Sequence, residues 1–334
     1  MTINADLTTI WAVIIAFAVF MYVVMDGFDL GIGILFPLFQ RGDERSQAMN
    51  AVAPVWDGNE TWLVLGGGGL FAAFPLAYSI ILPATYPLVI AMLLGLVFRG
   101  VAFEFRWRDP RHERFWDFAF FAGSLAAALS QGMILGALLQ GVTVRDGAYG
   151  GGWLDWLSPY SLLTGAGVVI GYTLLGATFL IMKLTGRAEE HAYRLARVAA
   201  VGTIALMAAV SLATPFLTQR YWARWFDWPS ILFTSQVPLL TTIMVAALLF
   251  TLVKRRRYAP FLLSLALFAL GMIGLGVSMW PDVVPGSLSI WDAAAPERSQ
   301  MFMLVGVAII MPIILAYTGW AYWVFRGKVE QGYH

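Results

Sequence analysis

Four acidic residues lie inside two apolar segments near the start of the chain. Asp26 and Asp29 belong to the segment DGFDLGIGIL, and Asp57 and Glu60 belong to PVWDGNETW. A spacing of three residues places both carboxylates of each pair on one face of a helix. Ionisable groups inside a membrane span are costly, so by default they indicate a function.

The two acid pairs lie at similar depths if their segments form an antiparallel hairpin. With spans at residues 9–36 and 51–75, Asp29 and Asp57 are each roughly 10 Å from the cytoplasmic surface, and Asp26 and Glu60 are one turn deeper. Four ionised carboxylates at one place repel one another strongly. Some of them must therefore be protonated, hydrated or paired with a cation.

Basic residues that could neutralise these acids come from the third span. Arg99 ends that span and Asp117 opens the fourth, so Arg99 could pair with Asp29 or Asp117. Glu104 and Arg106 lie just beyond the third span. We therefore expect a buried charge cluster formed by Asp29, Arg99, Asp117 and Glu104.

Two interpretations of the acids remain open. They could form an ionic clamp that fixes helix register, or a proton or cation path that opens to the cytoplasm. We favour a path for at least one of them, through Asp57, Glu60 and Asp26. Asp57 and Glu60 are the stronger candidates because their neighbours offer little neutralising charge.

The composition requires a membrane protein to position these residues. Of 334 residues, 60% are hydrophobic and 12% are charged, about half the charged fraction of an ordinary soluble domain. This excludes a soluble enzyme, a secreted domain, a nucleic-acid-binding module and a disordered chain. The net charge of +1 implies no attraction to a polyanion.

Apolar runs long enough to cross about 30 Å of hydrocarbon recur along the whole chain. We expect an all-α integral membrane protein with a polar loop at 40–50 and a turn around 75–83. The nine predicted transmembrane helices are 9–36, 51–75, 79–99, 117–141, 160–183, 197–217, 235–253, 259–280 and 301–325.

The distribution of Lys and Arg predicts the orientation. Of the 21 basic residues, 17 fall in alternate loops, which should therefore be cytoplasmic. The N-terminus is then periplasmic and the C-terminus cytoplasmic. A miscounted span would destroy this alternation, so the asymmetry also supports nine spans.

The chain offers no evident cofactor ligands. There is no cysteine, and none of the three histidines, His112, His191 and His334, lies within a predicted span. A membrane haem most often needs His or Met, and Met at helical spacing is usually packing. We therefore expect this chain to hold no haem and no catalytic metal. The run at 66–69 lacks the Lys-Ser/Thr of a phosphate-binding loop.

Several motifs go further than these physical arguments. DGFDLGIGIL, PVWDGNETW, LFAAFPLAY, RGVAFEFR, SLSIWDAA and YTGWAYW closely resemble subunit II of cytochrome bd-type quinol oxidases. The resemblance extends over nearly the whole chain, in order. The short length and brief periplasmic loops are similar to those of the compact, cyanide-insensitive members.

The resemblance implies a single membrane domain in the bacterial inner membrane. It would contain a four-helix bundle at 1–141, a second at 160–280 and a peripheral helix at 301–325. The complex would oxidise quinol near the periplasmic face and reduce oxygen to water. Haem b and haem d would belong to subunit I, a paralogue that the first bundle should face, and a small single-span subunit could also be present.

The resemblance also implies roles for particular residues. Asp57 matches an aspartate proposed for a proton route toward the oxygen-reducing haem. Asp29, Arg99 and Asp117 match positions suggested to form a charged or cation-holding cluster. Some relatives hold a structural quinone or lipid, which we cannot assign to residues here.

Two alternatives stay open. A secondary transporter could use the acids to couple a cation, with the run at 66–69 as a broken helix, but the second half has no matching acid-bearing segment. A purely scaffolding subunit would share every feature except the role of Asp57.

Overall fold

The computed structural model describes residues 6–329, which are almost entirely helical. Two short antiparallel hairpins pair β1 with β2 and β3 with β4. The strands are Val144–Arg145, Ala148–Tyr149, Asp282–Val284 and Leu288–Ser289. In chain order, helices α1 to α13 are Leu7–Leu35, Asp43–Asn50, Trp56–Ala73, Pro75–Arg108, Glu113–Gln140, Pro159–Lys183, Gly186–Ala213, Gln219–Phe226, Ile231–Thr234, Gln236–Val253, Ala259–Met279, Ile290–Ala293 and Glu297–Val324.

Each of the nine predicted spans coincides with a helix, and eight of these helices within residues 6–329 are long and apolar enough to cross a membrane. The ninth is α3, which has 18 residues. It falls short in hydropathy because Asp57, Asn59 and Glu60 occupy its first turns. The structure therefore confirms an all-helical membrane architecture, and the count of nine spans stays a prediction.

Three predicted boundaries were wrong. The polar loop at 40–50 contains a helix, α2, whose acidic first turn suits a helix N-terminus. The predicted turn at 75–83 is also helical: Pro75 begins α4, which continues through Pro83 and Pro87. Proline is tolerated at the first helical position because its missing N–H would be unpaired there anyway. Finally, α3 begins at Trp56 rather than at 51.

The core lies where α1, α5 and α6 pack together. Small residues permit this close packing. A Cβ atom added to Gly31 would clash with the backbone carbonyl of Tyr172, and one added to Gly132 would lie 2.6 Å from the carbonyl oxygen of Thr164. Membrane helices use such residues to bring their backbones together.

Helix α6 joins the two halves of the chain, since it packs against α1 and α5 as well as α7. The division into two four-helix bundles stays a prediction. The last helix, α13, contacts α1 and α3 and is largely exposed. Its first turn is held by Trp11, whose Nε1 donates to the Gln300 carbonyl at 3.0 Å, and its end by Lys183, which donates to the carbonyl of Phe325.

Candidate functional site

Helices α1, α3 and α4 bring three acids around one arginine. We call Asp26, Asp29, Glu60 and Arg99 the inner cluster. Asp26 and Arg99 form an ion pair, and neither is accessible to solvent (0% exposed). Arg99 Nη1 also lies 3.8 Å from Glu60 Oε2, whose side chain is 29% exposed. The cluster therefore reaches from the buried core to the edge of the chain.

Asp29 is held by an amide rather than by an arginine. The Asn59 side chain donates from Nδ2 to Asp29 Oδ2 at 2.8 Å, and its Oδ1 accepts from the Tyr322 hydroxyl at 2.8 Å. The Tyr322 bond fixes the orientation of the Asn59 amide, so that its NH₂ group faces Asp29. Helix α13 thus contributes to the site through one side chain.

Aromatic rings hold the Arg99 guanidinium in place. It lies 5.6 Å from the Trp56 ring and 6.0 Å from the Phe103 ring, distances typical of cation–π contacts. These two rings stack with their centroids 4.8 Å apart. The first residue of α3 and the last turns of α4 therefore position the one arginine of the cluster.

The inner cluster is incompletely satisfied. Its formal charge is −2 when all three acids are ionised, because Arg99 supplies one positive charge. Several buried atoms in it make no hydrogen bond within the described chain, namely Asp26 Oδ2, Asp29 Oδ1, Arg99 Nε and Arg99 Nη1. Buried polar atoms are almost always paired with protein or water, so this site suits bound water or protons on the acids.

Asp57 is the second residue of α3 and is exposed. The sequence predicted that Asp57 lies about two turns inside the span. Because α3 begins at Trp56, Asp57 lies in the first turn of the helix instead. It shares an exposed face of α3 with Thr61, Val64 and Phe71. This face carries a charged group beside apolar ones.

A second group of charges joins α2, α4 and α5. We call Arg45, Arg106, Glu113 and Asp117 the outer cluster. Asp117 accepts from Arg45 Nη1 at 2.6 Å and from Arg106 Nε at 2.7 Å. Arg106 also pairs with Glu113 at 2.6 Å. Arg45 further donates to the carbonyls of Phe39 and Pro37, which ties the segment that follows α1 to this cluster.

The sequence profile of the cytochrome bd terminal oxidase subunit II family matches residues 7–325. The chain belongs to this family. It is therefore a subunit of a terminal quinol oxidase complex and a multi-pass protein of the bacterial inner membrane, as the sequence predicted. The match gives no support to the alternative of a cation-coupled transporter.

Individual relatives agree with this assignment. The chain is 30% identical to cytochrome bd-I ubiquinol oxidase subunit 2 of Escherichia coli K12, covering 96% of this chain and 95% of the relative. It is 28% identical to cytochrome bd ubiquinol oxidase subunit 2 of Bacillus subtilis, covering 98% of each. The solved bd oxidase from Geobacillus thermodenitrificans contains a chain of the same fold, with a TM-score of 0.74 and 19% identity over 95% of this chain and 98% of that one.

The structure divides the charge cluster that the sequence predicted as a single group. Arg99 pairs with Asp26 and not with Asp29 or Asp117. Asp29 is held by Asn59, and Asp117 is held by two other arginines. Glu104 joins neither cluster: its side chain is 58% exposed and pairs with Arg108, one turn later on α4, at 3.2 Å. Asp29 stays beside Arg99 and Asp117 moves to the outer cluster.

Sequence reasoning missed Arg45 and Tyr322 as parts of these clusters. Arg45 lies on α2, in a segment read as a loop, and Tyr322 lies on a helix expected to be peripheral. The signal available for Tyr322 was its residue type, which indicated only a position near the membrane interface.

Each of the two described histidines lies close to a carboxylate. His112 Nδ1 lies 2.8 Å from Asp109 Oδ2 in the connection before α5, and His191 Nδ1 lies 3.6 Å from Glu44 Oε2 near the start of α7. Within residues 6–329, no three His, Cys, Asp or Glu side chains are grouped to hold a metal. His334 lies outside the described residues.

Proposed function

We propose that this chain is a haem-free subunit that supports a haem-bearing subunit I and supplies a proton-uptake path from the cytoplasm through Asp57, Glu60 and Asp26. In this proposal the complex oxidises quinol and reduces oxygen to water, with haem b and haem d in subunit I. Two relatives are named as subunit 2 of a cytochrome bd ubiquinol oxidase, which supports quinol as the substrate of the complex. A structural quinone and a small single-span subunit stay predictions of the resemblance, without residues assigned here.

The observation that carries the proposal is a gradient of burial along three acids. Asp57 is exposed at the start of α3, Glu60 is partly exposed one turn later, and Asp26 is fully buried against Arg99. Acids that only fix the helix register do not require an exposed residue such as Asp57. A proton path requires one, because its entrance must exchange protons with water.

The charge balance supports movement of protons along this gradient. A single arginine faces three acids, so the acids compete for one cation. A proton bound at Glu60 or Asp29 relieves the repulsion among the ionised carboxylates, and loss of that proton restores the repulsion. Carboxyl groups that can gain and lose a proton in this way act as relay groups.

The exposed face of α3 supports a partner subunit at the same place. Asp57 cannot face lipid at low cost. Beside it, a Cβ atom added to Gly67 or Gly68 would meet nothing within 4 Å, so a neighbouring helix could approach this surface closely. We propose that subunit I covers the apolar part of this face and leaves Asp57, at the start of α3, open to cytoplasmic water.

The proposal requires that the loops after α1, α4, α6 and α10 be cytoplasmic. Because the natural sequence has no cysteine, single cysteines can report the orientation. Cysteines at the exposed positions Arg41 and Tyr258 should resist an impermeant thiol reagent in intact cells, and one at Trp153 should react. The opposite pattern would reverse the orientation and close the proposed entrance.

The decisive experiment replaces Asp57 in the assembled complex. Asp57→Asn keeps the size of the side chain but cannot carry a proton. We expect normal assembly and haem content, with quinol-driven oxygen uptake per haem reduced by an order of magnitude or so, the scale of losing one proton-transfer group. Asp43→Asn, at another exposed acid on the same predicted side, is the matched control and should behave like the natural protein.

Turnover of Asp57→Asn at the natural rate per haem would contradict the path and favour the scaffolding alternative. A loss of assembled complex with unchanged turnover in the remainder would do the same, because it assigns Asp57 to the subunit interface.

A further inference from the structure

A row of polar side chains continues from the inner cluster into the centre of the helix bundle. Tyr22 lies on α1, Gln131 on α5 and Tyr172 on α6. The Tyr172 hydroxyl donates to Gln131 Oε1 at 2.7 Å, and Gln131 Nε2 donates to the Tyr22 hydroxyl at 2.7 Å. These bonds link three helices at the depth where polar groups are most costly.

The row ends at Asp26. Tyr22 precedes Asp26 by four residues, so the two share a face of α1, and the Tyr22 hydroxyl lies close to the Asp26 carboxylate without a regular hydrogen bond to it. Tyr22 accepts from Gln131 and still has its own hydroxyl hydrogen to donate. Asp26 Oδ2 is one of the buried atoms without a regular hydrogen bond in the described chain. A free donor thus faces a free acceptor, directly or across one water.

All donors in this row point the same way. An ionised carboxylate can only accept, so Tyr22 must give its hydrogen toward Asp26 and accept from its other neighbour. Gln131 must then turn its NH₂ group to Tyr22 and its carbonyl to Tyr172. The charge on Asp26 thereby fixes the amide orientation, and the aligned bonds in turn favour that charge.

The packing leaves these side chains little freedom to rearrange. Tyr22 and Tyr172 are buried, and the ring of Tyr172 lies against Gly27, where an added Cβ atom would be 2.7 Å from the ring. Gly132, next to Gln131, holds α5 close to α6 as described above. The row is therefore a fixed part of the fold rather than a chance contact.

We propose that Tyr22, Gln131 and Tyr172 are positioning residues, which form a one-directional hydrogen-bond chain that orients Asp26 and stabilises its ionised form beside Arg99. This inference rests on the proposed proton path and adds its inner end. Glutamine has no titratable proton, so the chain orients Asp26 without carrying protons past it. Protons that reach the inner cluster are thus kept from crossing toward the periplasm through this chain.

The test uses the assembled complex and the pH dependence of oxygen uptake per haem. Tyr22→Phe removes the donor that faces Asp26, and Gln131→Met removes the donor that orients the Tyr22 hydroxyl, while both keep side-chain volume. A carboxylate with one donor fewer binds its proton more readily, so Tyr22→Phe should move the pH profile toward higher pH, and Gln131→Met should move it the same way by a smaller amount. The variant that combines Tyr22→Phe and Gln131→Met should shift the pH profile no further than Tyr22→Phe alone, because Gln131 acts through Tyr22. Tyr172→Phe should have a smaller effect.

Other titratable or charged groups also face Asp26, and Tyr22→Phe and Gln131→Met leave them unchanged. They come from α1, α3, α4, α6 and α13: Asp29, Glu60, Arg99, Tyr172 and Tyr322. Tyr160→Phe is the matched control, since Tyr160 is a buried tyrosine that bonds Thr214 at 2.8 Å far from the inner cluster. Unchanged profiles in Tyr22→Phe and Gln131→Met would overturn the proposal, as would a shift of equal size in Tyr160→Phe.

Infrared difference spectra provide a readout that does not depend on turnover. The carboxyl absorption of Asp26 is identified by its loss in Asp26→Asn. It should shift in Tyr22→Phe and Gln131→Met and stay in place in Tyr160→Phe, and no shift would refute the chain. If Asp26→Asn leaves turnover unchanged while the absorption shifts, the proton path fails and the chain stands. If Gln131→Met does not assemble, Tyr22→Phe, which keeps its ring, decides the question.

Discussion

The inner and outer clusters contain similar residues but differ in how well their charges are matched. In the outer cluster two arginines face two acids, and Asp117 is bonded by both arginines. In the inner cluster one arginine faces three acids, and both Asp26 and Asp29 keep an oxygen without a regular hydrogen bond in the described chain. One site is complete within the chain, and the other is not.

This difference distinguishes charges that stabilise the fold from charges that can take part in the function. A matched cluster at the ends of α1, α2, α4 and α5 fixes their relative positions and gains nothing from a change of protonation. An unmatched cluster inside the fold is destabilised in any single charge state, so it benefits from protons, water or a partner. We therefore expect substitutions in the outer cluster to change stability, and those in the inner cluster to change activity as well.

The largest effect should come from Arg99→Ala. This change leaves two fully buried acids without their cation and removes the guanidinium that lies beside the stacked Trp56 and Phe103 rings. Breaking a buried ion pair in this way costs about 3–5 kcal/mol, so the complex should assemble poorly. The measurement is the yield of assembled complex after detergent extraction.

Arg99→Lys and Arg108→Ala sharpen this result. Lysine keeps the charge but cannot reproduce the planar fork, so an intermediate yield is expected. Arg108→Ala removes an arginine from the same helix whose pair with Glu104 is exposed, and it should assemble normally. A normal yield for Arg99→Ala would mean that the acids are already neutral in the folded protein.

An intermediate effect is expected for Asp117→Asn. The two arginines then lose the carboxylate that they share, and each charged hydrogen bond of this kind contributes about 1.5–3 kcal/mol. The complex should denature at a lower temperature, while oxygen uptake per haem in the assembled fraction stays unchanged. Glu113→Gln, at the more exposed partner of Arg106, should lower the denaturation temperature less. A fall in turnover per haem in Asp117→Asn would show that the outer cluster also takes part in catalysis.

The sequence predicted much of the inner cluster but not its pairing. Polar residues in apolar runs were enough to place Asp26, Asp29 and Glu60 together, because a hairpin of two helices leaves few other arrangements. The choice of Asp26 as the partner of Arg99 depends on how α4 is rotated against α1. No pattern in one sequence determines that rotation.

The outer cluster was harder to predict for a different reason. Arg106 lies two turns beyond Arg99 on the same face of α4, so it reaches Asp117 first. Arg45 could be placed only by knowing that 43–50 is a helix, and this segment is too polar and too short to show a clear apolar period. Long apolar helices were thus predicted well, and short polar ones were not.

The smallest effect should come from a pair that belongs to neither cluster. Asp109, in the connection between α4 and α5, accepts from His112 and Trp116, and the hydrogen bond from His112 is the main cause that lowers the pKa of Asp109 below its usual range. A lowered folded-state pKa means that the carboxylate stabilises the protein above its unfolded pKa of about 4. That contribution is lost as the pH falls through the folded value.

Asp109→Asn should therefore lower the denaturation temperature of the complex only slightly at neutral pH, and the difference should disappear in acid. Because this pair is open to water, its interaction is screened in a way that the buried clusters are not. The measurement is the difference in denaturation temperature between Asp109→Asn and the natural protein, followed from neutral to acid pH. If Asp109→Asn lowered that temperature as much as Asp117→Asn, burial would not explain the contrast between the clusters, and the number of hydrogen bonds around each acid would have to explain it instead.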